Sequence, residues 1–145
     1  MKNRTENLEL QGYKKIRFRI SKTHHLLVKG SINGVKGQFI LDTGASNSCV
    51  DFTSIDYFKL TAADSKTRAA GAGAIGMLTQ IATDNKLTLG KWKFSEFHLV
   101  IFDLSHVNTA LVQHKAKPVQ GIIGADVLIH GAAIIDYSNK FLYLK

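Results

Sequence analysis

An Asn-Gly pair set between two seven-residue runs constrains this chain more than any other feature. Leu26 to Ile32 and Val35 to Leu41 flank Asn33-Gly34. Both turn residues tolerate positive φ, so the spacing predicts a tight hairpin. The second strand ends on the apolar run Phe39-Ile40-Leu41, whose pattern is that of a buried strand. It delivers the chain directly into Asp42-Thr43-Gly44-Ala45-Ser46. A carboxylate is thereby placed on a small-residue loop at the end of a core strand. Gly44 lets another backbone approach closely. Thr43 offers a hydroxyl for a contact across or within the loop. Ala45 and Ser46 leave room around the carboxylate.

The Asp-Thr-Gly tripeptide occurs once in 145 residues, and no internal repeat is visible. Two such loops related by a two-fold axis would hold two Asp42 carboxylates within hydrogen-bonding distance. Like charges that close share one proton. One carboxylate can then act as general base on a water while the protonated partner polarises a carbonyl. The structural alternative is a turn aspartate that caps its own loop.

Further along, Val119-Gln120-Gly121-Ile122-Ile123-Gly124-Ala125-Asp126-Val127-Leu128 runs from an apolar strand through glycine into a short helix. Ile134 to Tyr137 and Phe141 to Leu144 are predicted as closing strands around Ser138-Asn139. Lys86 to Gly90 and Trp92 to Ile101 are predicted as two more, joined at Gly90-Lys91. Lys14 to Ile20 alternates charged and apolar residues as a one-faced strand does. Helices are expected near Thr53 to Phe58, with Asp51 or Thr53 as cap, and within Val107 to Lys115 before Pro118. The fold class is therefore mainly β with short helices.

With these elements the chain resembles the retropepsin-like aspartic proteases, particularly single-domain bacterial members, from about Leu26 to Leu144. Asp42-Thr43-Gly44-Ala45-Ser46 matches the family's catalytic loop. Ile122, Ile123 and Gly124 match its second signature, which packs behind that loop. Gly71, Ala72, Gly73, Ala74, Ile75 and Gly76 lie where the family carries its substrate-binding flap. The resemblance implies a single-lobe acid protease barrel with its active site at a two-fold homodimer interface. It implies Asp42 as the catalytic residue, a peptide or protein substrate, and neither metal nor cofactor. Its competitor in function is a catalytically silent domain of the same fold that binds peptides or dimerises, since fold does not imply function.

The glycines at 71, 73 and 76 also satisfy Gly-x-Gly-x-x-Gly, with Glu96 about 20 residues on. The context opposes a nucleotide site: Thr61 to Arg68 is polar rather than a buried strand, and no amphipathic helix follows Gly76. Cys49 stands alone, so no intrachain disulfide forms, and its expected role is a small buried residue. The six histidines show no metal or nucleophile spacing with it.

Length and 45% apolar content suit one domain over residues 13–145, after a polar, flexible tail over residues 1–12. No apolar leader and no 18-residue apolar span is present, and a cytoplasmic location is expected. The net charge of +8 gathers at Lys14, Lys15, Arg17 and Arg19. Such a row keeps a strand solvated, and without interleaved recognition aromatics a nucleic-acid partner is not expected.

Overall fold

The hairpin forms in the expected register. In the computed structural model, which describes residues 3–69 and 77–145, β2 (Leu26–Ile32) and β3 (Val35–Leu41) pair antiparallel from Leu26↔Leu41 to Ile32↔Val35. Asn33 and Gly34 take φ of 52° and 81°, the two positive values that a tight turn of matching twist requires. Asn33 also locks the turn outward: its side-chain amide donates to the Phe58 carbonyl and to Asn85 Oδ1, each at 2.9 Å.

The chain opens with helix α1 (Arg4–Leu10), followed by β1 (Lys14–Ile20), β2 and β3. Next come β4 (Cys49–Asp51), β5 (Ala63–Ala69), β6 (Met77–Leu89) and β7 (Trp92–Phe102). Helix α2 (Ser105–Gln113), β8 (Gly121–Ile123), α3 (Ala125–His130), β9 (Ile134–Asp136) and β10 (Phe141–Leu144) complete it. The ten strands form one sheet in the order β5-β6-β7-β4-β8-β3-β2-β1-β10-β9. A further pairing of β2 with β6, Ser31↔Thr88 and Ile32↔Leu87, closes β2-β3-β8-β4-β7-β6 into a six-stranded barrel. Closure gives each of these six strands a partner on both sides. β5 extends the barrel from β6; β1, β10 and β9 extend it from β2.

The strands at the centre are buried on both faces, which is why they are continuous apolar runs rather than alternating ones. Phe39, Leu41 and Ile123 face the main core with Phe18, Val28 and Phe97. Ile40 and Ile122 face a second cluster with Leu27, Cys49, Leu104 and Leu111, roofed by α2.

Four expectations require correction. The tail over residues 1–12 is helical from Arg4 to Leu10, because Asn3 caps it by accepting from the Glu6 N–H. Arg4 pairs with Asp136 at 2.9 Å, and Thr5 bonds the Tyr143 hydroxyl at 2.6 Å. The polar stretch Thr61 to Arg68 contains β5, since pairing with β6 supplies its backbone bonds despite its composition. The helix expected near Thr53 to Phe58 is a single 3-10 turn, Phe52–Ser54, with Asp51 capping the Thr53 N–H at 3.0 Å. On β1, Ile16 and Phe18 are buried but Ile20 is exposed. Among the described residues no helix is long and apolar enough to cross a membrane.

Candidate active site

Asp42 follows the last residue of β3, and its position is set by a parallel ladder. Ile40 pairs with Ile122 and Leu41 with Ile123. The Asp42 N–H then donates to the Ile123 carbonyl at 2.9 Å, one rung beyond the strand. The two signatures separated by some eighty residues are thereby brought side by side. Burying Leu41 and Ile123 contributes roughly 1.5–3 kcal/mol for each side chain.

Past Asp42 the chain turns at once. Ala45 N–H donates to the Asp42 carbonyl at 3.2 Å, and Gly44 N–H donates to Asp42 Oδ1 at 2.9 Å. The carboxylate is half-buried, while Thr43, Gly44 and Ser46 are exposed and Ala45 is partly covered. The loop presents its polar tip outward from a rigid base.

The base is a close backbone packing that only glycine permits. A methyl on Gly124 would lie 2.6 Å from the Ala45 carbonyl oxygen and 3.1 Å from the Asn47 backbone. A methyl on Gly121 would overlap the Cys49 carbonyl oxygen. Across the first contact, the Ala125 N–H donates to the Ala45 carbonyl at 2.7 Å. Ser48, fully buried, completes the clamp. Its hydroxyl accepts from the Gly124 N–H at 2.9 Å and donates to Asp126 Oδ1 at 2.7 Å, and its N–H donates to the same oxygen at 2.9 Å. Sequence reasoning missed both Ser48 and Asp126 as loop supports. The signal available was an acidic residue in the first turn of α3, yet nothing local pairs it with position 48.

Cys49 is buried behind the loop, as expected. Desolvation pushes its thiol up to about 12, with the nearby charges of Asp126, Asp42 and Asp51 adding to the effect and a backbone bond at Ile122 opposing it. Such a thiol is neutral and unreactive. Asp51 anchors the far end of β4, accepting the Leu104 N–H at 2.7 Å.

Two further surroundings bear on the site. Thr43 borders a groove of about 410 Å3 lined by Ala125, Leu128, Ile129, Ala132, Ala133 and Ile135, with Ile129 79% exposed. The glycine segment Gly71, Ala72, Gly73, Ala74, Ile75 and Gly76 lies outside the described residues. The strands on either side of it, β5 and β6, pair antiparallel up to Ala69↔Met77. Among the described residues no group of three or more His, Cys, Asp or Glu side chains is gathered to hold a metal ion.

The aspartyl protease family profile matches residues 28–127, from within β2 into α3. Among solved structures, the chain is similar to a retropepsin-like aspartic protease from Rickettsia conorii. The two share 18% identity over 91% of each chain, with a TM-score of 0.59. It is similar to the retroviral protease-like domain of Ddi1 from Leishmania major, at 18% identity over 88% of this chain and 90% of that one, with a TM-score of 0.57. It also matches the EIAV protease complexed with the inhibitor HBY-793, at 17% identity over 76% of this chain and 90% of that one, with a TM-score of 0.50. No curated protein matches the sequence. At such identities the structural likeness establishes the architecture, and the family profile covers more than half of the sequence. The chain belongs to the aspartyl protease family and has a retropepsin-like fold.

Proposed function

We propose that this protein is a homodimeric aspartic endopeptidase in which each of two identical chains contributes one Asp42. The observation that carries the reading is the placement of a lone, half-buried carboxylate at the end of a core strand, on a loop whose tip is exposed and whose base is clamped. One such loop is half of a dyad. Two facing Asp42 side chains share a proton, one activating water and the other polarising the peptide carbonyl. Thr43 and Gly44 line the contact between the loops. Ala45 and Ser46 keep its walls small, and Ile122, Ile123 and Gly124 support it from behind. The apolar groove beside Thr43, with Ile129 exposed, supports a second chain at this face, since such patches mark interaction sites. Gly71 to Gly76 acts as the flap, a reading supported by the antiparallel pairing of the flanking strands.

A second reading has one observation in its favour. Asp42 Oδ1 accepts from its own loop, at the Gly44 N–H, as a purely structural turn aspartate would. A catalytically silent, peptide-binding domain would keep that bond and cleave nothing.

Cleavage of a diverse peptide library across acid to neutral pH, by wild type and Asp42→Asn at concentrations where sedimentation shows a dimer, separates the two. Cleavage peaking below neutrality and abolished in the variant is expected, because the dyad titrates as a pair. Activity retained by Asp42→Asn removes Asp42 from the mechanism. Dimers that cleave nothing favour the silent domain. Gly73→Val is expected to lower turnover more than thermal stability, and the opposite pattern makes the segment structural.

A further inference from the structure

From Leu10 to Leu41 the chain carries no Asp or Glu, yet it holds Lys14, Lys15, Arg17, Arg19, Lys22, Lys29 and Lys36. The sheet register gathers most of these cations on one outer face. Phe18, Val28 and Phe39 form the inward row. The residues between them therefore point outward: Arg17 and Arg19 on β1, Lys29 opposite Gln38, and Ser31 opposite Lys36. Thr88, paired with Ser31, brings β6 to the same surface. Lys29, Ser31, Lys36, Gln38 and Thr88 line a groove of about 450 Å3 together with Gly30, Gly37 and Gly90, and no carboxylate lines it. Arg19 reaches its rim by donating to Gln38 Oε1. Arg17, Arg19, Lys29 and Lys36 are exposed and form no ion pair among the described residues.

Exposed cations are ordinarily interspersed with carboxylates, and a single-sign field over a surface attracts and orients an oppositely charged partner. We propose that the outer face of β2 and β3, joined by Arg17 and Arg19 of β1, is a docking surface for an acidic, extended segment of a polypeptide, outside the peptidase cleft; Glu9 lies beyond it, in the neighbouring groove with Lys14 and Lys15. The identification of the partner as polypeptide rests on the peptidase reading; the charge and shape of the face stand without it. Three observations favour a polypeptide over other anions. Cations at alternate positions of β1 recur every ~6.8 Å, the repeat of alternate side chains in an extended chain. The ring of Phe141 is already covered by Lys15 Nζ at 4.6 Å and by the Arg17 guanidinium at 5.1 Å, so it offers no free platform for a base. The groove is lined by Ser31, Gln38 and Thr88 rather than by exposed apolar side chains that would enter a lipid surface. Lys36 lies six residues before Asp42 along β3, a span of ~20 Å. A substrate protein could therefore hold an acidic stretch here at least about six extended residues from the bond presented to Asp42.

The test is fluorescence anisotropy with a labelled peptide alternating Glu and Ser, its Gln/Ser counterpart, an oligothymidylate of matching charge, and phosphatidylserine vesicles. The protein is the full chain, both wild type and Asp42→Asn, so that binding is read apart from cleavage. The Glu/Ser peptide is expected to bind both forms equally and the Gln/Ser peptide not at all. Affinity should fall at least about tenfold between ~50 and ~200 mM salt. It should also fall at least about tenfold in Lys29→Glu/Lys36→Glu, with a smaller loss in Lys29→Gln/Lys36→Gln and unchanged circular dichroism in both. Equal binding by the charge-reversed variant, or no binding by wild type, overturns the proposal. Tighter binding of the oligonucleotide or the vesicles than of the acidic peptide overturns it in favour of that partner. Loss of cleavage in Asp42→Asn with peptide binding absent throughout would leave the peptidase reading standing and this one refuted.

Discussion

Replacing Gly124 with alanine tests the clamp beneath the Asp42 loop. Gly124 has φ −107° and ψ −168°, an extended conformation open to any residue, so the cost of a methyl group is steric alone. The new carbon would sit 2.6 Å from the Ala45 carbonyl oxygen and 3.1 Å from the Asn47 backbone. Relieving the first contact moves the loop away from the β8–α3 junction by about 0.8 Å. That motion stretches the Ala125 N–H bond to Ala45, now 2.7 Å, and the Gly124 N–H bond to Ser48 Oγ, now 2.9 Å. Overpacking costs ~1–3 kcal/mol and the two weakened bonds together ~1 kcal/mol, for a total of about 2–4 kcal/mol. For a domain of this length that lowers the melting temperature by roughly 5–15 °C. Gly44→Ala is the control. Its methyl would meet only Asp42 Oδ1, at 3.3 Å, so stability should stay within about 0.5 kcal/mol while the carboxylate is nudged. Thermal and urea melts of both variants at one fixed protein concentration decide the matter, since self-association shifts apparent stability. Gly124→Ala melting with wild type, or Gly44→Ala losing as much as Gly124→Ala, would refute the clamp.

Other outcomes follow from the titrating groups. The buried Cys49 thiol, pushed up to about 12, should resist iodoacetamide in the native state at mildly alkaline pH and react fully in urea; rapid native labelling would contradict its burial. Because the folded state holds this proton more tightly than the unfolded chain, stability should fall as pH rises from 9.0 toward about 12. Cys49→Ala should flatten that limb, which urea melts across alkaline pH would show. Asp136 is held below the ordinary carboxylate range, first by the backbone and side-chain bonds from Asn139 and then by Arg4. Its contribution is present above the unfolded carboxylate value and is lost as pH falls through the lower folded one. Asp136→Asn should therefore lessen acid sensitivity and loosen α1; an unchanged acid limb would place the acid-labile carboxylate elsewhere.

Elements whose information is local were legible in the order of residues alone. Asn33-Gly34 prescribes a turn at positive φ, and the runs beside it became strands with the expected ends, because turn chemistry and apolar pattern agree. The strand at Phe141 to Leu144 and the helix after Gly124 were legible for the same reason. The Asp42 loop and the Ile122-Ile123-Gly124 signature were visible as two separate motifs. What joins them is set by long-range pairing in the folded barrel. β5 is polar yet is a strand because β6 supplies its ladder, and α1 docks through Arg4–Asp136 and Thr5–Tyr143, whose partners lie at the other end of the chain. The same holds for the clamp. Ser48 and Asp126 are unremarkable in sequence, and their hydrogen bond exists because β3, β4 and β8 meet in one barrel wall. Sequence pattern records which residues prefer a turn, a strand or a buried face. The partners of a buried polar group are set by long-range pairing, which neighbouring residues do not encode.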